Sequence, residues 1–394
     1  MKLAFVTPRF AVEGVVGGAE TLIRDLAQTA AAAGHEVQLL TTCATNPHTW
    51  SNDRDPWEEV VDGIRVRGFR VKEDRDLGVF LGVQDRIVKE QKLTRAEEEA
   101  WVANSITSPE VMSALESEVA ELDAVLVGPY LFGLTLQVSE AFAEKTWLIP
   151  CLHDESYARV GLIADRFRAV RGCLFNSEPE RDLAMRLYGL GPECGGVVGM
   201  AIEPFEVDAD AFARKHGLEG PYVIYCGRQE DGKNTPLLFD YLHTYTERRQ
   251  GAVRLVLTGS GDVSIPEKLR PYVLNLGFVS EQEKIEAMAG ATAFIHPSVN
   301  ESFGIVLLES WLAGTPVLVH DKGEVLKWQC QRSGGGLWFQ YYPEFESLLD
   351  RLIEDSELNQ ALGQAGNRYV RSTYNREAIA EKLFDVLEGK THAQ

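Results

Sequence analysis

The sequence predicts an α/β protein of two doubly wound domains. Three observations predict it. At 394 residues the chain exceeds one ordinary hydrophobic core and suits two domains. Short apolar runs alternate with helical stretches along most of its length, which implies mainly parallel sheets covered on both faces. Glycine-bearing loops follow directly on strand-like runs, at the carboxyl edges where such sheets bind ligands.

Composition narrows the function. A net charge of -20 argues against nucleic acid as a partner and against tight binding to an acidic membrane face. No apolar run is long enough to span a bilayer, and the opening residues Met1–Arg9 read as a strand rather than a signal peptide. The expectation is a cytoplasmic protein with at most peripheral contact at the inner face of the membrane. Six scattered cysteines without a C-x-x-C pair suggest neither a zinc site nor a disulfide scaffold.

In chain order, Leu3–Thr7 is a buried strand. The loop Pro8–Gly18 carries Gly14 and the pair Gly17-Gly18, and a helix over about Ala19–Ala33 ends at Gly34. His35–Thr41 completes a βαβ opening. It lacks G-x-G-x-x-G and an acidic residue closing the second strand, so a dinucleotide site is disfavoured. Gly17 and Gly18 either admit a polar ligand close to the backbone or make a plain tight turn. Gly63–Val71 alternates like a strand in a local hairpin. Residues 85–121 read as a charged helical pair broken near Ser108-Pro109, with Trp101 as its core anchor. Further strands at Ala124–Gly128, Lys145–Pro150, Gly172–Asn176 and Gly195–Gly199 alternate with helices near 159–168 and at Ser177–Tyr188, the latter capped by Ser177.

The first domain is expected to span 1–202, with the 85–121 insertion, and the second 203–372. The terminal segment 373–394 holds a helix. Strand Tyr222–Cys226 opens the second domain into a loop holding Gly227, Arg228 and Lys233. Two cations in one glycine-containing loop suit a diphosphate, Arg as a planar fork and Lys as a point charge. Solvated cations, or pairing with Glu230-Asp231, are the competing reading. Gly259 closes the strand Arg254–Thr258, as a phosphate approach or as a turn. His153 follows the strand that ends in Pro150, flanked by Asp154 and Glu155, and donates to a ligand or is structural. His296 and His320 end neighbouring strands, and a metal site there is disfavoured.

The second domain centres on Asn300–Glu309. A strand at Thr292–His296 leads into a loop, and a helix is expected from Ser302 or Phe303 to about Ala313, with Ser302 as cap. Glu301 stands at its mouth. Glu309 lies two turns on, roughly 12 Å by rise per residue. That spacing suits opposite ends of one hydroxyl-rich molecule and is too wide for a close acid/base pair. A capping-region Glu and a solvated helix Glu would have the same spacing.

These residues resemble the retaining GT-B-fold glycosyltransferases of the large family 4 group, over nearly the whole chain. The match is carried by Glu301-x7-Glu309 followed by Ala313-Gly314-Thr315-Pro316-Val317, by Gly227-Arg228 with Lys233, by Gly17-Gly18-Ala19-Glu20, and by His153. The resemblance implies two Rossmann-like domains facing across a cleft, the first on the acceptor side, with the last helix crossing back to it. It implies transfer of a hexose, mannose or glucose, from GDP-mannose or UDP-glucose to a glycan or lipid-linked acceptor, with no metal and no cofactor. His153, Arg228, Lys233 and Glu301 would be catalytic. The donor would also meet Gly17, Gly18, Gly227, Gly259, Glu309 and the segment Ser302, Phe303, Gly304 and Ile305. Within the group, Cys151–Tyr157 and Leu337–Tyr342 resemble enzymes of bacterial surface-polysaccharide assembly, mannosyltransferases among them. His320-Asp321-Lys322-Gly323-Glu324 departs from the group's usual loop, which bears on base and sugar recognition.

The competing functions are a hydrolysing sugar-nucleotide epimerase, a phosphorylase-like enzyme of the same fold, and a non-catalytic sugar-binding relative. An epimerase would release nucleotide without an acceptor. A phosphorylase needs a cofactor lysine or a phosphate site that the sequence does not display. A binding relative would hold donor without transfer or hydrolysis.

Overall fold

The computed structural model describes residues 1–10, 17–46, 49–261 and 263–390, so Gly14 of the first glycine loop lies outside the described residues. The chain divides into two compact units, Met1–Ala201 with Arg376–Gln394, and Ile202–Asn375.

The first unit opens with β1 (Lys2–Val6), α1 (Gly18–Ala32) and β2 (Glu36–Thr42). β1 is buried from Leu3 onward, as a central parallel strand must be. β3 (Trp57–Val61) and β4 (Ile64–Phe69) form an antiparallel hairpin. Its two-residue turn, Asp62-Gly63, has positive φ at both positions, the geometry that matches strand twist. Three helices follow, α2 (Leu77–Val88), α3 (Arg95–Ala103) and α4 (Pro109–Glu118). The expected helical pair at 85–121 is therefore corrected: the helical segment starts at Leu77 and holds three helices, each opened by its own cap, Asp76, Thr94 and Ser108. Trp101 is 2% exposed within the unit's main core.

The unit continues through β5 (Ala124–Val127), α5 (Gly133–Ala141), β6 (Thr146–Leu148), α6 (Gly161–Ala169), β7 (Gly172–Phe175), α7 (Glu178–Tyr188) and β8 (Gly195–Val197). Ser177 caps α7, accepting from Glu180 N, and left-handed Gly189 ends it. The sheet order is β3-β4-β2-β1-β5-β6-β7-β8, parallel except at the hairpin.

The second unit runs α8 (Ala211–His216), β9 (Tyr222–Cys226), α9 (Thr235–Arg248), β10 (Arg254–Thr258), β11 (Val273–Asn275), α10 (Glu281–Ala289), β12 (Ala293–His296) and α11 (Ile305–Leu312). It closes with β13 (Val317–His320), α12 (Glu324–Ser333), β14 (Gly336–Phe339), α13 (Tyr342–Glu354) and α14 (Ser356–Thr373). Its six strands are all parallel, in the order β11-β10-β9-β12-β13-β14. α12 falls in a stretch for which the sequence pattern gave no helix.

The last helix, α15 (Arg376–Leu387), belongs to the first unit. Arg376 reaches Thr29 Oγ1 at 2.9 Å and Asp25 at 3.4 Å on α1, and Phe384 packs on His35 with ring centroids 4.0 Å apart. Buried Asp25 also accepts from the Ala201 amide at 2.7 Å.

Candidate functional site

In an open parallel sheet the chain leaves neighbouring strands in opposite directions at one point, and a crevice opens outside their carboxyl ends. In the second unit that point lies between β9 and β12, which are adjacent in the sheet while β10 and β13 lie on their outer sides. The loop after β9 carries Gly227, Arg228 and Lys233, and the loop after β12 carries Glu301 and Ser302–Gly304. Topology thus brings together residues separated by nearly seventy positions.

Lys233 Nζ donates to Glu301 Oε1 at 2.6 Å, with both side chains largely buried. Asn234, in left-handed conformation, ties the two loops through Nδ2 to the Pro297 carbonyl at 3.1 Å. His296, 5% exposed, places Nε2 3.4 Å from Glu301 Oε1. Burial pushes the His296 pKa down to about 4; the Glu301 carboxylate opposes that shift and Lys233 adds to it. The ring is therefore neutral near pH 7 and meets Glu301 as a neutral imidazole rather than as a cation. Arg228 stands in solvent, 3.3 Å from Glu230 on its own loop, while Tyr225 Oη donates to the Arg228 carbonyl at 2.7 Å. Such an exposed pair is weak, and a better anion displaces it readily.

Gly259 is accounted for by packing between loops. A Cβ there would lie 2.2 Å from the Gly227 carbonyl, and its amide donates to Gly277 O at 2.7 Å. Gln229, 2% exposed, braces the same loops through the Gly259 carbonyl and Asn275.

The helix after Glu301 starts later than expected. α11 begins at Ile305, and Gly304 at φ 87° is its N-cap; Ser302 does not cap it, and no side chain does. The cause is steric: a left-handed residue turns the chain into the helix, and a Cβ at Gly304 would lie 2.7 Å from Leu326 Cδ2. The first amides of the helix thus have no intrahelical acceptor and no side-chain cap. The Phe303 side chain is 3% exposed and packs edge-on against Tyr374, so only its backbone faces outward chemistry.

Glu309 lies on α11, paired with Lys284 of α10 at 2.8 Å; Lys284 also meets Glu281 at 2.7 Å. Burial raises the Glu309 carboxyl, with Lys284 opposing it. Lys284 is desolvated, which lowers its pKa, but Glu309 and Glu281 outweigh that and hold it above its ordinary value. Lys284 is not legible from local pattern, because its partner is twenty-five positions away on another helix.

In the first unit, Gly17 is the N-cap of α1 and its carbonyl accepts from the Thr21 amide at 3.0 Å and from Thr21 Oγ1 at 3.1 Å. Gly18 is the first residue of α1, and Arg9 pairs with Glu20 at 2.7 Å beside it. His153 follows β6, with Nδ1 3.8 Å from Glu155 Oε1, the same oxygen that accepts from Tyr130 Oη at 2.7 Å. Under this loop lies Glu180, 1% exposed, whose carboxyl accepts from the amides of Leu152 at 2.6 Å and Asn176 at 2.5 Å. Burial pushes Glu180 up to about 8 against those hydrogen bonds. Ser177-x-x-Glu180 has the spacing of a capping box, which is the signal that could have found it.

Among the described residues no group of three His, Cys, Asp or Glu side chains is placed to hold a metal ion. No helix among them is long and apolar enough to cross a membrane.

Residues 207–369 match the family model described as glycosyl transferases group 1. The fold superposes on sucrose-phosphate synthase from Thermosynechococcus elongatus with a TM-score of 0.73 at 18% identity, covering 98% of each chain. The chain has the GT-B fold. It superposes similarly on the GT-B structure of Anabaena HepE in complex with UDP and glucose, with a TM-score of 0.68 at 16% identity, over 98% of this chain and 99% of that one. In sequence it is 31% identical over 201 residues to the phosphatidyl-myo-inositol mannosyltransferase of Mycobacterium tuberculosis, an alignment that takes in 47% of this chain and 53% of the relative. The chain thus spans about half the length of the first curated relatives it matches. By these relationships it is a GT-B-fold relative of the group 1 glycosyltransferases.

Proposed function

We propose that the chain is a retaining, metal-independent glycosyltransferase that moves a hexose from a nucleoside-diphosphate sugar to a glycan or lipid-linked acceptor. The observation that carries this reading is the Lys233–Glu301 pair at the switch point between β9 and β12. It sets a cation for the diphosphate against a carboxylate for the sugar hydroxyls, with the uncapped start of α11 beside them.

Arg228 and Lys233 hold the diphosphate and stabilise the charge that grows on it as it leaves; one such contact is worth about 3–4 kcal/mol in the transition state. Glu309, steadied by Lys284, accepts from ribose hydroxyls. Glu301, steadied by His296, accepts from hydroxyls of the transferred sugar. The first unit is the acceptor side and carries His153 and the Gly17-Gly18 loop. In the front-face step the acceptor oxygen bonds to the anomeric carbon on the face from which the diphosphate departs. The carbon–oxygen bond to the β-phosphate breaks, and the acceptor proton passes to the departing phosphate oxygen. The name of the mycobacterial relative supports mannose, and the UDP and glucose held by the Anabaena structure support glucose, so GDP-mannose and UDP-glucose are the leading donors.

Melting temperature measured against GDP, UDP, ADP and dTDP and their hexose conjugates tests the reading. One nucleotide should raise it in a concentration-dependent way, by mass action, and the shift should vanish in Lys233→Ala. No shift with any of them would defeat the proposal. Product analysis with the selected donor then separates transfer from epimerisation.

A further inference from the structure

Among the described residues, four arginines have a buried Nε without a hydrogen-bond partner: Arg67, Arg75, Arg166 and Arg181. Three have a carboxylate at hand, Arg67 with Glu118 at 2.8 Å, Arg166 with Glu140 at 2.6 Å and Arg181 with Asp182 at 4.0 Å. Arg75 has none. Its Nη2 donates to the Trp50 carbonyl at 3.4 Å, and that is its one hydrogen bond among the described residues. Three acidic residues lie within two positions of it, and each is engaged elsewhere: Glu73 with Asn52 at 2.6 Å, Asp74 with Lys72 at 3.7 Å, and Asp76 as the cap of α2. In a chain with 59 acidic and 39 basic residues, a half-buried guanidinium without an anion is conspicuous. Burial lowers its pKa, with no carboxylate to offset the effect.

Arg75 lies on the loop after β4. The strands β4, β2, β1, β5 and β6 are parallel, so this loop shares the carboxyl edge of the sheet with Gly17-Gly18 after β1 and His153 after β6. A small apolar cluster of Ala44, Val71 and Ile106 supports that edge. Half-buried Trp50 and Phe132 pack on it, edge to face with ring centroids 5.1 Å apart.

We propose that Arg75 is the binding residue for an anionic group, a phosphate or a carboxylate, on the acceptor. The inference rests on the glycosyltransferase reading for the word acceptor, and on the first unit alone for the site. A guanidinium meets two oxygens of either group with paired N–H donors, the geometry for which its planar fork is suited. The Trp50–Phe132 pair offers the ring of a sugar or cyclitol an apolar surface beside that contact.

Isothermal titration of the full chain tests this, with the nucleoside diphosphate chosen by the melting panel present at saturation so that the second unit's cations are occupied. The probes are inorganic phosphate and glucose 6-phosphate for one anion, acetate and glucuronate for the other, and glucose as the neutral control. Wild type should bind the sugar of one anionic class more tightly than glucose. Arg75→Gln should weaken that binding by about tenfold or more, while Arg75→Lys, which keeps the charge but not the fork, should lose less. Which class binds decides between phosphate and carboxylate. Equal affinity for charged and neutral sugars, no binding of either anionic class, or unchanged affinity in Arg75→Gln would overturn the proposal. So would an Arg75→Lys variant that binds no better than Arg75→Gln while melting like wild type. If no nucleotide raises the melting temperature, the glycosyltransferase reading fails separately, and the titration without nucleotide still reports on Arg75.

Discussion

Lys233 and Glu301 are hydrogen-bonded at 2.6 Å although sixty-eight residues separate them. Each neutralises the other. Under the proposed function, a bound donor would give Lys233 a diphosphate and Glu301 the hydroxyls of a sugar. Truncating Lys233 to Ala should therefore lower kcat by about 100-fold or more, on the scale of one lost transition-state contact. Glu301→Gln should lower turnover as well. The double variant should lose less than the sum, because the two residues share one interaction. Steady-state kinetics of the four proteins in the cycle checks this, and strict additivity would separate the two roles.

Glu309 and Lys284 form a second pair, with side chains 15% and 19% exposed. Removing one partner leaves an uncompensated charge in a largely buried place, which costs about 3–5 kcal/mol in comparable pairs. Lys284→Met should lower the denaturant midpoint and weaken nucleotide affinity, since the Glu309 carboxylate loses its anchor. Lys284→Met with Glu309→Leu should recover stability but not nucleotide affinity. Paired unfolding and binding curves distinguish this from simple damage to α10. Recovery of both would remove Glu309 from the binding site.

Gly304 sets where α11 begins. Its φ of 87° is unfavourable for other residues, and a Cβ would press on Leu326. Gly304→Ala should destabilise the unit by about 1–3 kcal/mol through backbone strain. It should also weaken diphosphate binding by misdirecting the first helical amides. Measuring melting temperature and nucleotide affinity together checks it; a stable variant with intact affinity would show that the helix start tolerates another path.

The fold was legible where local pattern and burial agree. β1, β9 and β12 are continuous apolar runs because parallel strands are covered on both faces, and each was readable for that reason. β3 was not, since its middle residues Glu58, Glu59 and Val60 are exposed at the sheet edge, although the Asp62-Gly63 turn announced a hairpin. α12 was not legible because its mixed polar sequence gives little apolar stripe. At the candidate site, the residues on the loops after β9 and β12 were readable from their place after strands. Lys284 supports Glu309 from another helix, twenty-five positions away, and no spacing within one segment encodes such a contact. Ser302 misled because a polar residue before a helix usually caps it, whereas the left-handed turn two residues later favours glycine as the cap.

Glu180 provides a test of linkage. Its carboxyl is buried beneath the His153 loop and is pushed up to about 8, above the value near 4.5 of an exposed glutamate. The folded chain then holds this proton more tightly than the unfolded chain between those limits. Its contribution to stability is fully present below about pH 4.5 and is lost as pH rises through 8. Glu180→Gln cannot titrate, so the melting temperature of wild type relative to this variant should fall across that window. Glu180→Ala leaves the Leu152 and Asn176 amides without their acceptor and should cost about 1–3 kcal/mol for each one left buried and unsatisfied. Melting curves of the three proteins from pH 4.5 to 8.5 check both statements. A wild-type-minus-Gln difference that stays flat would mean that the amides keep the carboxylate ionised throughout, their hydrogen bonds outweighing burial.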